Sequence, residues 1–302
     1  MKKALSYSGL IFFSCNLLAN DSYSFLRKKD TLLISAKNCN QLYAEVRNLA
    51  AWRLARNEAP IGDIKLKRSR AGCSAELKNV APIFTEKFHG ANAKGPNCWN
   101  TTLVLNEIIP AKRFSSGEEM TFWMESPLCQ KVLETDLKAG DIGAIRLVRP
   151  DGSLKESHGF IHVSPNLVFH KPGPGASEAY QFDNRQEMLK GFTTLDKAFN
   201  IQIDYYRCQK LSDYLKNKNA AQLSAYRRLD KAVTDVECDA ESRIFIHQPN
   251  NAWLKTNILI LEKLIENEVQ YALKENSDEI FLWHSLMVRL NSLKTQALID
   301  SR

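Results

Sequence analysis

The feature that most constrains the fold is a run of short β-rich segments in the middle of the chain. They read LKAGDIGAIRLV, HGFIHV, LVFHK, EAYQF and IQIDYY, and the turn sequence PDGS separates the first two. Ser164, Pro165 and Asn166 separate HGFIHV from LVFHK by a length that suits a hairpin. Two helix-like segments precede this run. Helices followed by antiparallel strands are typical of an α+β fold.

Both of these preceding segments carry signals for the start of a helix. A Gly-Pro break precedes Asn97, which can cap a helix through CWNTTLVLNEII that ends at Pro110. Ser116 and Glu119 form a capping-box pattern in front of EMTFW. We therefore expect two short helices that lead into the sheet.

The pattern divides the chain into four segments. Residues 1–20 have the layout of a signal peptide, and residues 21–92 form a mostly helical segment in which NQLYAEVRNLAAWRLARNEAP has helical spacing up to Pro60. Residues 93–206 form the compact α+β unit. Residues 207–302 are a helical extension of about three helices, with AWLKTNILILEKLIENEVQYAL as the clearest amphipathic stretch.

The first twenty residues, MKKALSYSGLIFFSCNLLAN, place two lysines before a short apolar core. This layout predicts an exported protein, periplasmic or secreted, that is cleaved after Ala19 or Asn20. Lipid anchoring at Cys15 is the less favoured alternative, because the preceding FFS fits a lipoprotein cleavage box poorly. No apolar stretch is long enough to predict a transmembrane span.

The net charge of +7 is a mild basic excess, and it falls to +5 when the signal is removed. Such an excess favours polyanionic surroundings such as a cell wall or a membrane surface. No stripe of lysine and arginine with interleaved aromatic residues is present, so we expect no nucleic-acid partner.

Six cysteines follow the predicted signal: Cys39, Cys73, Cys98, Cys129, Cys208 and Cys238. An exported protein enters an oxidising compartment, in which disulfides form. Pairing along the sequence joins Cys39 to Cys73 and Cys208 to Cys238, and the cysteine of SPLC is then a buried thiol or a further disulfide partner. No two cysteines have the C-x-x-C spacing of a zinc site, and no cluster of histidines and carboxylates indicates a metal.

The position of Cys98 favours chemical reactivity. It lies in the first turn of its predicted helix, where the helix end carries partial positive charge and unpaired N–H groups. Both favour a thiolate, the reactive form of cysteine, and the same N–H groups can hold an oxyanion during acyl transfer.

Three of the six histidines lie on the predicted hairpin. His158 and His170 have the same parity about its turn, so they share one sheet face as opposite or diagonal neighbours. One can take the proton of the thiol, and the other can hold the first in the required tautomer. His162 shares this face and lines the cleft or serves as an alternative partner.

The ordered set NCWN, LKAGDIGAI and HGFIHVSPNLVFH resembles the NlpC/P60 family of papain-like cysteine peptidases, over residues 93–182. In that family a nucleophilic cysteine begins a helix, an L-x-x-G-D turn enters the sheet, and a histidine opens a strand. A third polar residue, often histidine, follows twelve positions later. The resemblance implies a papain-like core of helices packed on an antiparallel sheet. It also implies the catalytic residues Cys98, His158 and His170.

This chain departs from the family pattern beside the motifs. The family often has Asp and Ser around the cysteine, which serve the γ-D-glutamyl stem peptide, whereas this chain has Asn97 and Trp99. The family's V-G-I-Y strand becomes GFIH, which ends at His162. We expect these three residues to contribute to substrate binding that differs from the usual subsite.

The function expected from these features is an exported cysteine hydrolase that cleaves an amide bond, above all in peptidoglycan stem peptides. A Cys-His-His triad would form a thioester intermediate, with no cofactor, and the partner would be peptidoglycan or a muropeptide. The alternatives are an N-acetylmuramoyl-L-alanine amidase, another amidase or acyltransferase of the same superfamily, or a catalytically silent protein that binds the cell wall.

Overall fold

A computed structural model describes residues 24–28, 31–55, 65–76, 96–175, 178, 180–195, 200–216, 220–245, 251–275, 277 and 279–299. The predicted signal peptide and Cys15 lie outside the described residues. Within them the protein is a mixed α+β structure, as the sequence predicts, and it has two antiparallel sheets where the sequence pattern indicated one.

The N-terminal segment combines one helix with a four-stranded sheet. Its elements are β1 (Ser24–Lys28), β2 (Thr31–Ala36), α1 (Cys39–Ala55), β3 (Lys67–Ser69) and β4 (Gly72–Glu76). The strand order is β1-β2-β4-β3, and every neighbour is antiparallel. The predicted helix is present, whereas the sheet is not indicated by the sequence pattern. The predicted Cys39–Cys73 disulfide is confirmed and ties the start of α1 to β4.

The central unit is a six-stranded sheet with helices on both faces. Its elements are α2 (Cys98–Leu105), α3 (Gly117–Met124), β5 (Cys129–Val132), β6 (Ile142–Val148), β7 (Leu154–Ser164), β8 (Leu167–His170), β9 (Gln181–Asn184), α4 (Arg185–Leu195) and β10 (Asn200–Cys208). The strand order is β5-β10-β6-β7-β8-β9, and all neighbours are antiparallel. Helices α2 and α3 pack against β7 on one face. Helix α4 covers the other face with Met188 and Phe192, which lie against Phe160 and Val168.

Local sequence explains how the chain enters this sheet. Gly140 adopts a φ of 98°, a left-handed conformation that glycine takes readily. The carboxylate of Asp141 accepts the Lys138 N–H at 2.7 Å and pairs with Arg207 of β10 at 2.7 Å. The Gly-Asp turn therefore directs the chain into β6 and fastens it to a neighbouring strand.

The C-terminal segment is helical, as predicted. It contains α5 (Leu211–Tyr214), α6 (Ala220–Phe245), α7 (Asn251–Lys274) and α8 (Ile280–Ile299). Aromatic side chains join these helices to the central unit, because the rings of Trp123 in α3 and Phe281 in α8 meet edge to face at 6.3 Å. The hydrophobic core is continuous from the central unit into these helices.

One predicted disulfide is wrong. Cys208 does not pair with Cys238; it lies directly opposite Cys129 in the β5–β10 ladder, with 4.1 Å between the Cα atoms, and the two form a disulfide. Cys238 carries an exposed thiol on α6. The physical reason is strand register, which brings together two cysteines that are 79 residues apart in the sequence.

None of the helices in the described part of the chain combines the length and the apolar character needed to cross a bilayer.

Candidate active site

Cys98 is the first residue of α2, as the sequence predicts. Asn97 caps the helix in an extended conformation, and its side-chain oxygen accepts the Asn100 N–H at 3.1 Å. The amide nitrogen of Asn97 donates to the Ser115 carbonyl at 2.8 Å. Asn97 is buried and its side chain is used within the protein, so it holds the helix start and does not face a substrate.

Helix α2 packs on strand β7, and the backbone N–H groups of Gly159, Trp99 and Cys98 itself lie near enough to the Cys98 sulfur to act in the direction that lowers its pKa. Gly159 permits this approach, because a Cβ at that position would lie 3.3 Å from both Thr102 Cγ2 and Trp99 Cδ1 of α2. The absence of a side chain thus brings the helix start close to the residue that follows His158.

Burial decides the protonation of the thiol. It raises the pKa of Cys98 to about 11, and the three N–H groups do not outweigh it, while the nearby Glu156 also acts in the raising direction. The expectation of an ionised sulfur therefore does not hold in this structure. The thiol keeps its proton at neutral pH, because the loss of hydration exceeds the benefit of the helix end.

The two predicted histidines meet as expected from their parity. His158 Nε2 lies 2.7 Å from His170 Nδ1, and His170 Nε2 lies 2.8 Å from Oδ2 of Asp183 in β9. We call His158, His170 and Asp183 the histidine network. Gln181, which lies opposite His170 in the β8–β9 ladder, also donates to Asp183 Oδ2 at 2.7 Å.

The carboxylate at one end assigns the tautomers along this network. An ionised carboxylate only accepts hydrogen bonds, so His170 must donate its Nε2–H to Asp183. A neutral His170 then accepts at Nδ1, and His158 donates its Nε2–H. The lone pair of His158 consequently lies on Nδ1, which takes part in no hydrogen bond among the described residues.

His158 is buried and uncharged at neutral pH. Its ring is 2 % exposed and stacks on Phe192 at 4.8 Å between centroids. Burial, with a further contribution from His170, lowers the pKa of His158 well below its usual value of 6.5. The imidazole is therefore neutral at pH 7. No hydrogen bond joins the His158 ring to the Cys98 sulfur among the described residues. The ring shares the sheet face of Phe160, which α4 covers with Phe192, whereas the sulfur lies at Gly159 on the α2 face.

Asp183 is a residue that the sequence pattern did not indicate. The predicted strand EAYQF ends one residue before it, whereas β9 runs from Gln181 to Asn184. The sequence does contain a signal for Asp183. Gln181 and Asp183 are two residues apart on one strand, so their side chains share a sheet face, and Gln181 pairs with His170 across the β8–β9 ladder.

Trp99 and His162, the other two predicted substrate residues, have different surroundings. Trp99 packs beside Gly117 and Gly159, and its buried Nε1–H finds no acceptor among the described residues. His162 is buried outside the histidine network. Burial and the nearby Arg185 lower its pKa to about 4, and its Nδ1 has no hydrogen-bond partner in the described part of the chain. Trp99 thus retains a buried donor without a partner among the described residues, and His162 does not join Cys98.

A buried cation lies on the sulfur side of the sheet. Lys171 follows His170, and its parity matches Phe169, which packs in the core beneath α2. Its ammonium donates to the carbonyls of Gly173 and Gly175, the latter at 3.0 Å, and interacts electrostatically with Cys98. Burial lowers the pKa of Lys171.

The site as a whole is closed and polar. Cys98 and His170 are 5 % and 4 % exposed. No group of three or more histidine, cysteine or carboxylate side chains within the described ranges is placed to hold a metal. A thiol, helix N–H groups and an imidazole lone pair are the kinds of group that acyl transfer uses.

No family model matches the chain, and neither a curated protein nor a solved structure is detectably similar to it.

Proposed function

We propose that the protein is an exported cysteine hydrolase with a papain-like NlpC/P60 core that cleaves an amide bond, above all in peptidoglycan stem peptides. One observation carries the proposal. The histidine network is hydrogen-bonded from Asp183 through His170 to His158, which leaves a single lone pair on the imidazole that precedes Gly159. The Gly159 N–H in turn faces the Cys98 sulfur.

The proposed reaction proceeds through a thioester. The proposal requires the His158 ring and the Cys98 sulfur to come into contact when substrate binds. As the sulfur then attacks the substrate carbonyl, its proton passes to Nδ1 of His158, and the Cys98 N–H holds the oxyanion. The C–N bond breaks when His158 returns that proton to the leaving amine. A water molecule, deprotonated by His158, then hydrolyses the thioester and restores the thiol.

The protonation states favour a neutral resting pair. The raised pKa of Cys98 and the lowered pKa of His158 both oppose a resting thiolate–imidazolium pair. Proton transfer therefore accompanies nucleophilic attack, as in the serine hydrolases, in which the base removes the proton of an un-ionised nucleophile. The Lys171 ammonium lies where it favours the negative charge that develops in this step.

The peptidoglycan substrate is supported by features outside the site. The N-terminal twenty residues have the layout of an export signal, and the basic excess suits an anionic wall. The three motifs also match the NlpC/P60 order. Trp99, which follows Cys98 in the chain and whose buried Nε1–H has no acceptor among the described residues, is the residue that we propose to contact the substrate.

The test is digestion of purified sacculi by the wild type, by Cys98→Ala and by Cys238→Ala as a matched control for loss of a cysteine. The products are identified by mass spectrometry. We expect cleaved stem peptides from the wild type and from Cys238→Ala, and none from Cys98→Ala. Glycan strands with intact released stems would instead indicate an amidase. Wild-type protein that sediments with sacculi but releases nothing would refute catalysis and favour the wall-binding alternative.

A further inference from the structure

The start of helix α2 is held by one loop, residues 111–116. Asn97, just before the nucleophile, bonds to Ser115, and Asn100 donates its side-chain N–H to the Ala111 carbonyl at 3.0 Å. The backbone N–H of Arg113 returns a hydrogen bond to Asn100 Oδ1 at 3.3 Å. The position of the Cys98 sulfur therefore depends on this loop, which binds residues both before and after Cys98 in the sequence.

The loop is itself fixed by a buried guanidinium. Arg113 is 2 % exposed, and its two terminal nitrogens bind the carboxylate of Glu119 in α3 at 2.8 and 2.5 Å. Its Nε lies 3.1 Å from Glu237 Oε2 in α6. One arginine thus joins the loop beside the nucleophile to the central unit and to a C-terminal helix.

From Glu237 the charges continue into α8. Arg289 binds both oxygens of Glu237, at 3.0 and 2.6 Å, and also binds Asp230 at 2.5 Å. The members alternate in sign, and we call them the arginine network: Glu119, Arg113, Glu237, Arg289 and Asp230. A second link runs in parallel, because Ser116, the cap of α3, lies 2.9 Å from Ser292 of α8 between hydroxyl oxygens.

We infer that the C-terminal helices are part of the catalytic unit, with Glu237 and Arg289 as positioning residues that place Cys98 through the Arg113 loop. The inference rests on the proposed function for its catalytic meaning, and its structural part stands without a substrate. Buried ion pairs of fixed geometry resist small displacements, since each partner that moves leaves the other charge uncompensated. A displacement of about 1 Å at a nucleophile is enough to lower turnover.

The test compares four variants built on Cys238→Ala, which removes the exposed thiol. Glu237→Gln keeps the shape and removes the central charge, Glu237→Asp keeps the charge, Asp230→Asn perturbs the far end, and Asp235→Asn breaks an exposed pair with Lys231 on the same helix. For each we measure the pH profile of Cys98 alkylation by iodoacetamide, then kcat and KM on muropeptides, and the melting temperature.

We expect Glu237→Gln to lower kcat by at least about tenfold with KM nearly unchanged. It should also move the alkylation midpoint of Cys98 upward, because a displaced sulfur loses the N–H groups that lower its pKa. Asp230→Asn should have a smaller effect, Glu237→Asp should recover part of the loss, and Asp235→Asn should match the parent. Ser292→Ala takes the place of Glu237→Gln if the latter does not fold.

The outcomes separate the two proposals. A lowered melting temperature with an unchanged alkylation profile and unchanged kcat would reduce the arginine network to a stabilising role and overturn the inference. A shifted profile in a protein whose wild type hydrolyses no wall material would support the inference and refute the proposed function, because alkylation needs no substrate.

Discussion

The histidine network of the central sheet and the arginine network between the 111–116 loop, α3, α6 and α8 are built from different chemical groups. The histidine network joins two imidazoles to a single carboxylate, and the pKa of His158 within it lies well below the usual value. The arginine network alternates full charges. Burial alone would raise the pKa of Glu119, but Arg113 holds it below its usual value.

Under the proposed function the two networks have different roles: the histidine network transfers a proton, and the arginine network holds the surrounding elements in place. A group that transfers a proton must exist in two protonation states at comparable free energy, which imidazoles do and guanidinium groups do not. A charged group that positions other residues through ion pairs must keep its charge throughout the reaction. The pKa of Arg289 is raised because the carboxylates around it, Glu237 first, outweigh the lowering effect of burial, so its guanidinium stays charged.

The largest expected effect is loss of the chemistry itself. Replacement of Cys98 by Ala, or of His158 by Gln, should lower kcat/KM on muropeptides by at least about 10⁴-fold, because each removes the nucleophile or the base of a single concerted step. Circular dichroism should match the wild type. A folded His158→Gln protein with more than a tenth of wild-type turnover would exclude the histidine network from proton transfer.

The next effect concerns stability on the other network. Arg113→Met should lower the free energy of unfolding by about 3–5 kcal/mol, since the buried carboxylates of Glu119 and Glu237 lose a shared partner. Urea titration at pH 7 measures it. The matched variant Lys231→Met breaks an exposed pair and should cost less than about 1 kcal/mol. Equal losses in both variants would contradict a framing role for Arg113.

A third effect depends on pH and involves His162. Its pKa of about 4 in the folded protein lies below the unfolded value of 6.5, so the unfolded chain binds the extra proton first. Stability is complete above pH 6.5 and falls as the pH drops toward 4, by up to about 3 kcal/mol. His162→Gln removes this contribution. Between pH 7 and pH 4.5, urea titrations should show the wild type losing up to about 3 kcal/mol more stability than His162→Gln, and an equal loss in both proteins would show that His162 does not titrate this way.

Local rules explain which parts of this structure could be predicted from the sequence. The α2 cap at Asn97, the α3 start at Ser116 and the parity of the histidine hairpin are encoded within a few residues. The resulting His158–His170 contact follows from alternation along two adjacent strands. These features depend on short-range interactions, and tertiary packing preserves them.

The missed features depend on partners distant in sequence. Arg113 contacts Glu237, which lies more than a hundred residues later in the sequence, and no local pattern in either segment indicates this pairing. The Cys129–Cys208 disulfide and the N-terminal sheet depend in the same way on strand register. The thiol pKa was missed for a related reason, since burial of Cys98 is a property of the assembled fold.

The smallest of the expected effects tests how far the histidine network extends. Asp183→Asn should lower kcat by about 10- to 100-fold, the range typical of an outer partner that orients a functional histidine. The Asn amide can donate as well as accept, so His170 is free to take the other tautomer and present an N–H to His158. His158 would then turn its own lone pair toward His170 and away from the thiol. KM should change little, and ¹⁵N chemical shifts of the His170 ring should report the altered tautomer. Unchanged shifts together with unchanged kcat would end the network at His170, and the contrast between the two networks would then rest on the two imidazoles alone.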